Sequence, residues 1–275
     1  MRQVLALAVA GTLLAAGLEA GVNYTAQLEV HHELGAATDT STVHVWIEGD
    51  KAKAEYVETS IPGVDIGDSL LTRDGGATAS LVKPGEKTVS PCEVEGVFGI
   101  LLGSGSKFEA FLPSVTSQAK AELLEKGEGE VVAGRPTVRY KLRVSYLVTR
   151  STRRGDNVTT HVIEQEIWTV EDLPVGSPAS WPVPIPLRLK QPEVQAVVAP
   201  VVAEVKGLPV KAITTRTATT SEGQERVTHG RFEVVKLEVE EIPEAVFAVP
   251  DGFQPGEFRA NMFSDPTLRI KRGPR

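Results

Sequence analysis

The chain has 275 residues, with 29 lysines and arginines against 36 aspartates and glutamates, so its formal net charge is −7. A chain of this length buries a core of ordinary size, so neither disulfides nor a structural metal is needed for folding. The single cysteine, Cys92, excludes an intramolecular disulfide and a multi-cysteine zinc site. The acidic balance argues against a nucleic-acid-binding protein, and we expect neither a metal nor a cofactor.

Residues 1–20 have the features of a secretory signal peptide. One positive charge precedes an apolar run from Val4 to Ala16, which is too short to cross a hydrocarbon core of about 30 Å as a helix. Leu18-Glu19-Ala20 before Gly21 suits a cleavage site. No cysteine follows the apolar run, which excludes a lipoprotein anchor. We therefore predict cleavage after residue 20 and a periplasmic or secreted protein that does not span a membrane after cleavage.

Most of the remaining chain alternates apolar and polar residues with the period of a half-buried β-strand. The clearest examples run from Val22 to Val30 and from Val138 to Val148. Turn sequences at residues 48–51 and 74–76 predict antiparallel hairpins. In the last predicted strand the apolar face changes at Val235, which indicates a β-bulge. The scaffold is predicted to be a large antiparallel sheet.

Three apolar patterns with helical spacing interrupt these strands. The first covers residues 94–102, the second residues 108–123 and the third residues 194–205, in which Pro200 is expected to cause a kink. Helices packed on one face of the sheet give an α+β domain over residues 21–256, and residues 257–275 form a C-terminal tail that we expect to be mobile. An open concave face between sheet and helices could hold a ligand.

The segment Pro174 to Pro192 contains six prolines and Trp181. Such a sequence excludes a central strand or a helix, so we predict a stiff surface loop with extended stretches. A loop of this length is a lid, a contact for an envelope protein partner or a plain connector, and the sequence leaves these alternatives open.

Two motifs that suggest chemistry do not predict an enzyme. Gly67-Asp68-Ser69-Leu70 spells the signature of a family of serine esterases, but none of the five histidines has an aspartate three residues earlier, and the surrounding pattern is antiparallel. The tetrapeptide is therefore interpreted as a strand entry after a glycine turn. His31, His32 and His44 suggest a metal site, but adjacent strand residues point to opposite faces of a sheet. We therefore expect a protein that is not an enzyme.

Six phrases follow one another along the chain, at residues 46–55, 71–76, 132–137, 166–168, 205–210 and 245–253. Taken in order, they resemble a family of bacterial secreted proteins known as a domain of unknown function. That family is similar to the LolA-like superfamily of periplasmic lipoprotein carriers. The resemblance implies a curved antiparallel half-barrel, capped by helices on its concave face, with a hydrophobic cavity between sheet and helices.

The function that follows is the binding of a hydrophobic ligand, a lipid or an acyl chain, by an envelope protein that could act as a lipid or lipoprotein carrier. Apolar cavities bind such ligands by buried area and leave no motif. The alternative is a non-catalytic interaction or structural module whose core is filled. The candidate ligand-binding residues are Val94, Val97, Phe98, Leu101, Leu102, Phe108, Phe111 and Trp168.

Overall fold

Twelve β-strands form one sheet in the computed structural model, which describes residues 20–32, 38–61, 64–92, 114–152, 155–175 and 192–256. One α-helix, α1 (Pro192–Val202), and one 3-10 helix (Glu244–Phe247) lie in the described ranges. The strands are β1 (Gly21–His32), β2 (Thr38–Glu48), β3 (Lys51–Thr59), β4 (Ser69–Thr72), β5 (Ala79–Lys83), β6 (Thr88–Cys92), β7 (Ser114–Glu128), β8 (Val138–Thr152), β9 (Gly155–Val170), β10 (Leu208–Thr220), β11 (Glu225–Glu240) and β12 (Gln254–Pro255).

The order of the strands shows how the chain builds the sheet outward from β1. The order is β12-β6-β5-β4-β3-β2-β1-β11-β10-β9-β8-β7, so β1 to β6 extend to one side and β11 back to β7 extend to the other. All these pairs are antiparallel except β12 with β6. This confirms the prediction of an α+β protein dominated by an antiparallel sheet.

The sheet has two chemically different faces, because alternate side chains of a strand point to opposite sides. The core face carries Tyr24, Val45 and Leu142, each at most 1 % exposed. The charged face carries ion pairs between neighbouring side chains. Examples of these pairs are Lys53–Glu55, Arg139–Glu166, Arg143–Glu164 and Lys236–Glu238.

The predicted hairpins and the predicted bulge are confirmed. Strands β4 and β5 pair in antiparallel fashion on either side of the turn that contains Asp74. The Asp74 carboxylate accepts hydrogen bonds of 2.9 Å from the Thr72 hydroxyl and from the Thr78 backbone N–H. On β11, Lys236 pairs with Thr25 and Val234 pairs with the following residue Ala26, so Val235 is the extra residue of a bulge.

Of the three helical predictions, one is confirmed in part and one is wrong. The third pattern forms α1, with Pro200 inside it, but the helix ends at Val202 and not near Val205. The second is wrong over residues 114–123, which belong to strand β7. Two register shifts between β7 and β8 interrupt the strand's alternation, which makes the sequence look helical. Residues 94–102 and 108–113 lie outside the described residues, so capping of the sheet by several helices stays a prediction.

The C-terminal part of the chain adds a small second core on the charged face. Phe247 of the 3-10 helix and Ile242 are 1 % and 3 % exposed and pack against Leu71 and Val82 of β4 and β5. The guanidinium of Arg73 donates a 2.9 Å hydrogen bond from Nε to the carbonyl oxygen of Phe247. These two strands are therefore buried on both faces. Within the described ranges, no helix combines the length and the apolar character needed to cross a bilayer.

Candidate functional site

The core face is much larger than the described helix. Its buried apolar residues lie on nine strands, β1 to β5 and β8 to β11, which at about 4.8 Å between neighbours extend over roughly 40 Å. Helix α1, at about 1.5 Å per residue, is roughly 16 Å long and about 10 Å wide. It packs on β7 through Val194 and Val198, and the backbone N–H just after it, at Lys206, donates to the Tyr140 hydroxyl.

A polar cluster lies within the core face on β8, β9 and β10. The rings of Tyr146 and His161 stack with centroids 4.9 Å apart, and these residues are 2 % and 6 % exposed. Arg216 of β10 is half-buried and donates from Nη2 to the Tyr146 hydroxyl at 3.1 Å. Further along β9, the Gln165 amide nitrogen donates to the hydroxyl of Thr214 at 3.0 Å. The cluster places a permanently charged group on a face that is mainly apolar.

Four buried side-chain oxygens of the described strands have no hydrogen-bond partner, and all four belong to the core face. They are Tyr24 Oη, Ser41 Oγ, Gln165 Oε1 and Thr169 Oγ1. The register places Ser41 opposite Leu28 and Gln165 opposite Leu142, which assigns these polar groups to the apolar side of the sheet. Burial raises the pKa of the Tyr24 hydroxyl well above its usual value. An unpartnered buried polar group costs about 1–3 kcal/mol, so these oxygens mark places where the core face lacks protein partners.

A second charged cluster lies at the other end of the core face, where β4 begins and β5 ends. The Lys83 ammonium is 2.7 Å from a Glu86 carboxylate oxygen and 3.9 Å from one of Asp68. Burial raises the pKa of the Asp68 carboxyl, and the Asp65 backbone N–H and Lys83 oppose that shift. Burial alone would lower the pKa of Lys83, but its three carboxylate neighbours raise it on balance. The Lys83 ammonium lies within 3.9 Å of three carboxylates of the protein itself, so we interpret this cluster as structural.

The esterase-like tetrapeptide lies in this structural cluster. Gly67 has a positive φ of 89° and precedes the strand β4, which begins at Ser69. Asp68 and Ser69 are both 2 % exposed within an antiparallel sheet. The interpretation as a strand entry after a glycine turn is confirmed.

The histidines of the suggested metal site do not come together. His31 of β1 pairs with Thr38 of β2, whereas His44 of β2 pairs with Thr25 of β1. Because Thr25 and His31 are six positions apart, the two histidines lie about 20 Å apart along the strands. His44 instead stacks on Trp46 with ring centroids 4.1 Å apart. No group of three or more His, Cys, Asp or Glu residues suited to a metal ion occurs among the residues that the structure describes.

Of the predicted ligand-binding residues, only Trp168 lies within the described ranges. It belongs to the charged face, opposite in direction to Ile167, with the Lys211 ammonium 5.1 Å and the Arg139 guanidinium 5.9 Å from its ring. It is 6 % exposed and lies close to Gly129. The remaining predicted residues, Val94, Val97, Phe98, Leu101, Leu102, Phe108 and Phe111, lie outside the described residues.

Sequence reasoning missed the polar cluster. The signal that could have revealed it is the same alternation that predicts the strands, since Ala212, Thr214 and Arg216 follow one another at spacing two. Because Ala212 is buried, the alternation places Arg216 on the core side as well. Its neighbours Tyr146 and His161 come from other strands, which only the register brings together.

Comparisons with known proteins give structural neighbours only. No family model matches the chain, and no curated protein matches it. An uncharacterized conserved protein from Thermus thermophilus is 9% identical, with 86% of this chain and 91% of that chain covered and a TM-score of 0.33. A putative outer membrane lipoprotein-sorting protein domain from Vibrio parahaemolyticus is 12% identical, with 83% and 89% covered and a TM-score of 0.33.

A third solved structure, a DUF1329 family protein from Desulfovibrio piger, is 8% identical, with 83% of this chain and 89% of that chain covered and a TM-score of 0.33. The neighbours of this chain thus include a lipoprotein-sorting domain and a protein of a domain-of-unknown-function family, the two kinds of protein that the sequence resemblance names.

Proposed function

We propose that this protein is a non-catalytic binding protein of the periplasm or cell envelope, and that it holds a lipid or acyl chain against the core face of its sheet. In this role it would act as a carrier, releasing its ligand to another envelope component. The support for this role comes from the core face, which combines a wide apolar area with buried polar groups that lack partners.

The observation that carries this proposal is the set of four buried oxygens without partners on the core face. Each such group costs about 1–3 kcal/mol when it is left without a hydrogen bond, so a partner for these oxygens would stabilise the protein. Tyr24, Ser41, Gln165 and Thr169 are spread over β1, β2 and β9 rather than confined to one local defect. A ligand with polar groups, or water that accompanies it, would supply the missing partners.

The size and chemistry of the core face also suit an acyl chain. A hydrocarbon chain binds through buried apolar area at about 25 cal/mol per Å² and needs no specific polar contact along its length. Apolar side chains such as Leu142, Ile163 and Ala212 line this face on β8, β9 and β10, and each is at most 2 % exposed.

Native mass spectrometry tests the proposal on protein purified gently from the periplasmic fraction. The protein is expressed with its residues 1–20 so that its own predicted signal peptide directs it there. We expect the protein to carry additional mass that organic extraction removes and identifies as lipid. Delipidated protein should regain that mass after incubation with phospholipid vesicles. A bare polypeptide mass in both samples would contradict the proposal and favour an interaction module with a filled core.

A further inference from the structure

We propose that the ligand of the core face is an anionic amphiphile and that Arg216 binds its carboxylate or phosphate head group. This inference rests on the proposed function and adds the chemical class of the ligand. It concerns a part of the core face that sequence analysis did not identify.

Arg216 carries a charge that the described residues do not neutralise. Among the described residues, Arg216 forms one hydrogen bond, to the Tyr146 hydroxyl, and no ion pair. A guanidinium has five N–H donors and stays charged at any ordinary pH. Arg216 is half-buried, and a charge removed from water without a counterion is costly. A bound carboxylate or phosphate would accept two parallel hydrogen bonds from it.

Arg216 contrasts with the cations on the other side of the same strands. Cations on the charged face of β8 to β11 are neutralised by carboxylates of the protein itself. Arg216 therefore differs from its neighbours in facing the core side without such a partner. The neutralised cations are Arg139, Lys141, Arg143, Lys211 and Arg231.

A second arginine lies near Arg216 on the same face of the sheet. Arg226 of β11 pairs with Ala218, two positions along β10 from Arg216, and belongs to the core face. The described core-face positions of β8, β9 and β10, and those of β11 before its bulge, include no aspartate or glutamate. In a chain whose net charge is −7, the core face of β10 and β11 is thus locally basic, and an acidic residue of this face, Asp39 opposite Val30, lies on β2, beyond β1. Such a field attracts an anion.

The basic position adjoins apolar positions of the same face. From Arg216, the core face of β10 continues through Thr214 to Ala212, about 13 Å at 3.3 Å per residue, and Ala212 lies opposite Ile167 of β9. Gln165, beside Thr214, is 1 % exposed and keeps one amide atom unpartnered in either orientation of its amide. An amphiphile whose head group binds Arg216 would thus have the start of its chain beside Gln165 and Thr214 and the rest of its chain on an apolar surface.

Fluorescence titration with cis-parinaric acid and its methyl ester tests this assignment on the purified protein. Wild-type protein should bind the acid more tightly than the ester. R216Q should lose about tenfold or more in affinity for the acid, because a charge-assisted pair is removed, and should keep its affinity for the ester. R216K, which keeps the charge but not the two-pronged geometry, should fall between them.

The matched control is R143Q, which removes an arginine from the charged face of β8, where it lies 3.5 Å from Glu164. It should bind both probes as the wild type does, and circular dichroism of all variants should show the native sheet. If wild type and R216Q bind acid and ester equally, the anionic class is wrong and the hydrophobic site remains. If the wild type binds neither probe, the proposed function itself fails.

Competition distinguishes a lipid head group from a free anion. Palmitate and dioleoyl phosphatidic acid should displace cis-parinaric acid, because each joins an anionic group to a chain. Acetate and inorganic phosphate at the same concentrations should not displace it. Displacement by the free anions would show that Arg216 binds small anions and would overturn the assignment to an amphiphile.

Discussion

The Nη2 atom of Arg216 lies 3.1 Å from the hydroxyl oxygen of Tyr146, although the two residues belong to strands β10 and β8 with β9 between them. The arginine side chain therefore extends over β9, close to the His161 ring that stacks on Tyr146. The contact links three strands of the core face and orients the guanidinium that we propose binds the head group of the ligand.

Removal of the Tyr146 hydroxyl should destabilise the protein. Y146F leaves the Arg216 donor without its acceptor, and we expect a loss of about 1–2 kcal/mol in the free energy of unfolding. Y24F is the matched control, since the Tyr24 hydroxyl is buried and has no partner in the described structure. It should be neutral or stabilising in urea unfolding of delipidated protein. A loss of equal size in both variants would show that the Tyr24 hydroxyl is bonded.

The turn between β4 and β5 should show a pH dependence that depends on Asp74. Hydrogen bonds from Thr78 and Thr72 lower the pKa of the Asp74 carboxyl from 3.8 to about 2. Because the native pKa lies below the unfolded value, the ionised carboxylate stabilises the turn above that value, and the contribution is lost as the pH falls towards about 2.

The measurement is urea unfolding of the wild type and D74N at a series of pH values between about 2 and 5, the range set by the unfolded and native pKa values. The stability difference between the two proteins should shrink steadily as the pH falls. A difference that does not change with pH would mean that the Asp74 hydrogen bonds contribute nothing as charge-assisted interactions.

The thiol of Cys92 should react slowly while the protein is folded. Burial raises its pKa from 9.0 to about 11, so little thiolate is present near neutral pH. With iodoacetamide at mildly alkaline pH, the native protein should be labelled about 100-fold more slowly than the urea-unfolded chain, from the ratio of thiolate fractions. Mass spectrometry measures this rate on the chain's single cysteine. Equal rates in both states would contradict the burial of Cys92.

A methyl group at Gly129 should disturb Trp168. A Cβ there would lie 2.3 Å from the Thr137 hydroxyl oxygen and 2.7 Å from Cδ1 of Trp168. We expect G129A to lose about 1–3 kcal/mol of stability through overpacking and to shift the tryptophan fluorescence. The control is G127A, where nothing lies within 4 Å of an added Cβ. It should leave both measurements unchanged, and a neutral G129A would show that the Trp168 environment is loosely packed.

Where alternation is regular, sequence predicts this fold well. The runs in β1 and β8 are uninterrupted, and even the bulge at Val235 is visible, because the apolar face changes there. Prediction fails at β7, since two register shifts destroy the period of two and leave apolar residues at helix-like spacing. Strand β7 also lies at the edge of the sheet and is exposed or half-buried along its length, so its sequence has no regular buried face.

The candidate site was harder to predict than the strands. The sequence directs attention to residues 94–111 and Trp168, since apolar side chains are what a lipid site is expected to contain. Arg216 looks like an ordinary surface residue in a run of threonines, and its significance depends on which face it occupies. Its contact with Tyr146 joins residues 70 positions apart, so it follows from strand order and register and not from any local motif.

Photo-crosslinking with a fatty acid that carries a diazirine near the end of its chain tests most directly whether the core face holds the ligand. Peptide mass spectrometry should locate saturable crosslinks at core-face positions of β8, β9 and β10, such as Leu142, Ile163 and Ala212, and unlabelled palmitate should compete for them. Crosslinks confined to charged-face positions such as Arg143 and Glu164, or labelling that palmitate does not reduce, would contradict a lipid site on the core face.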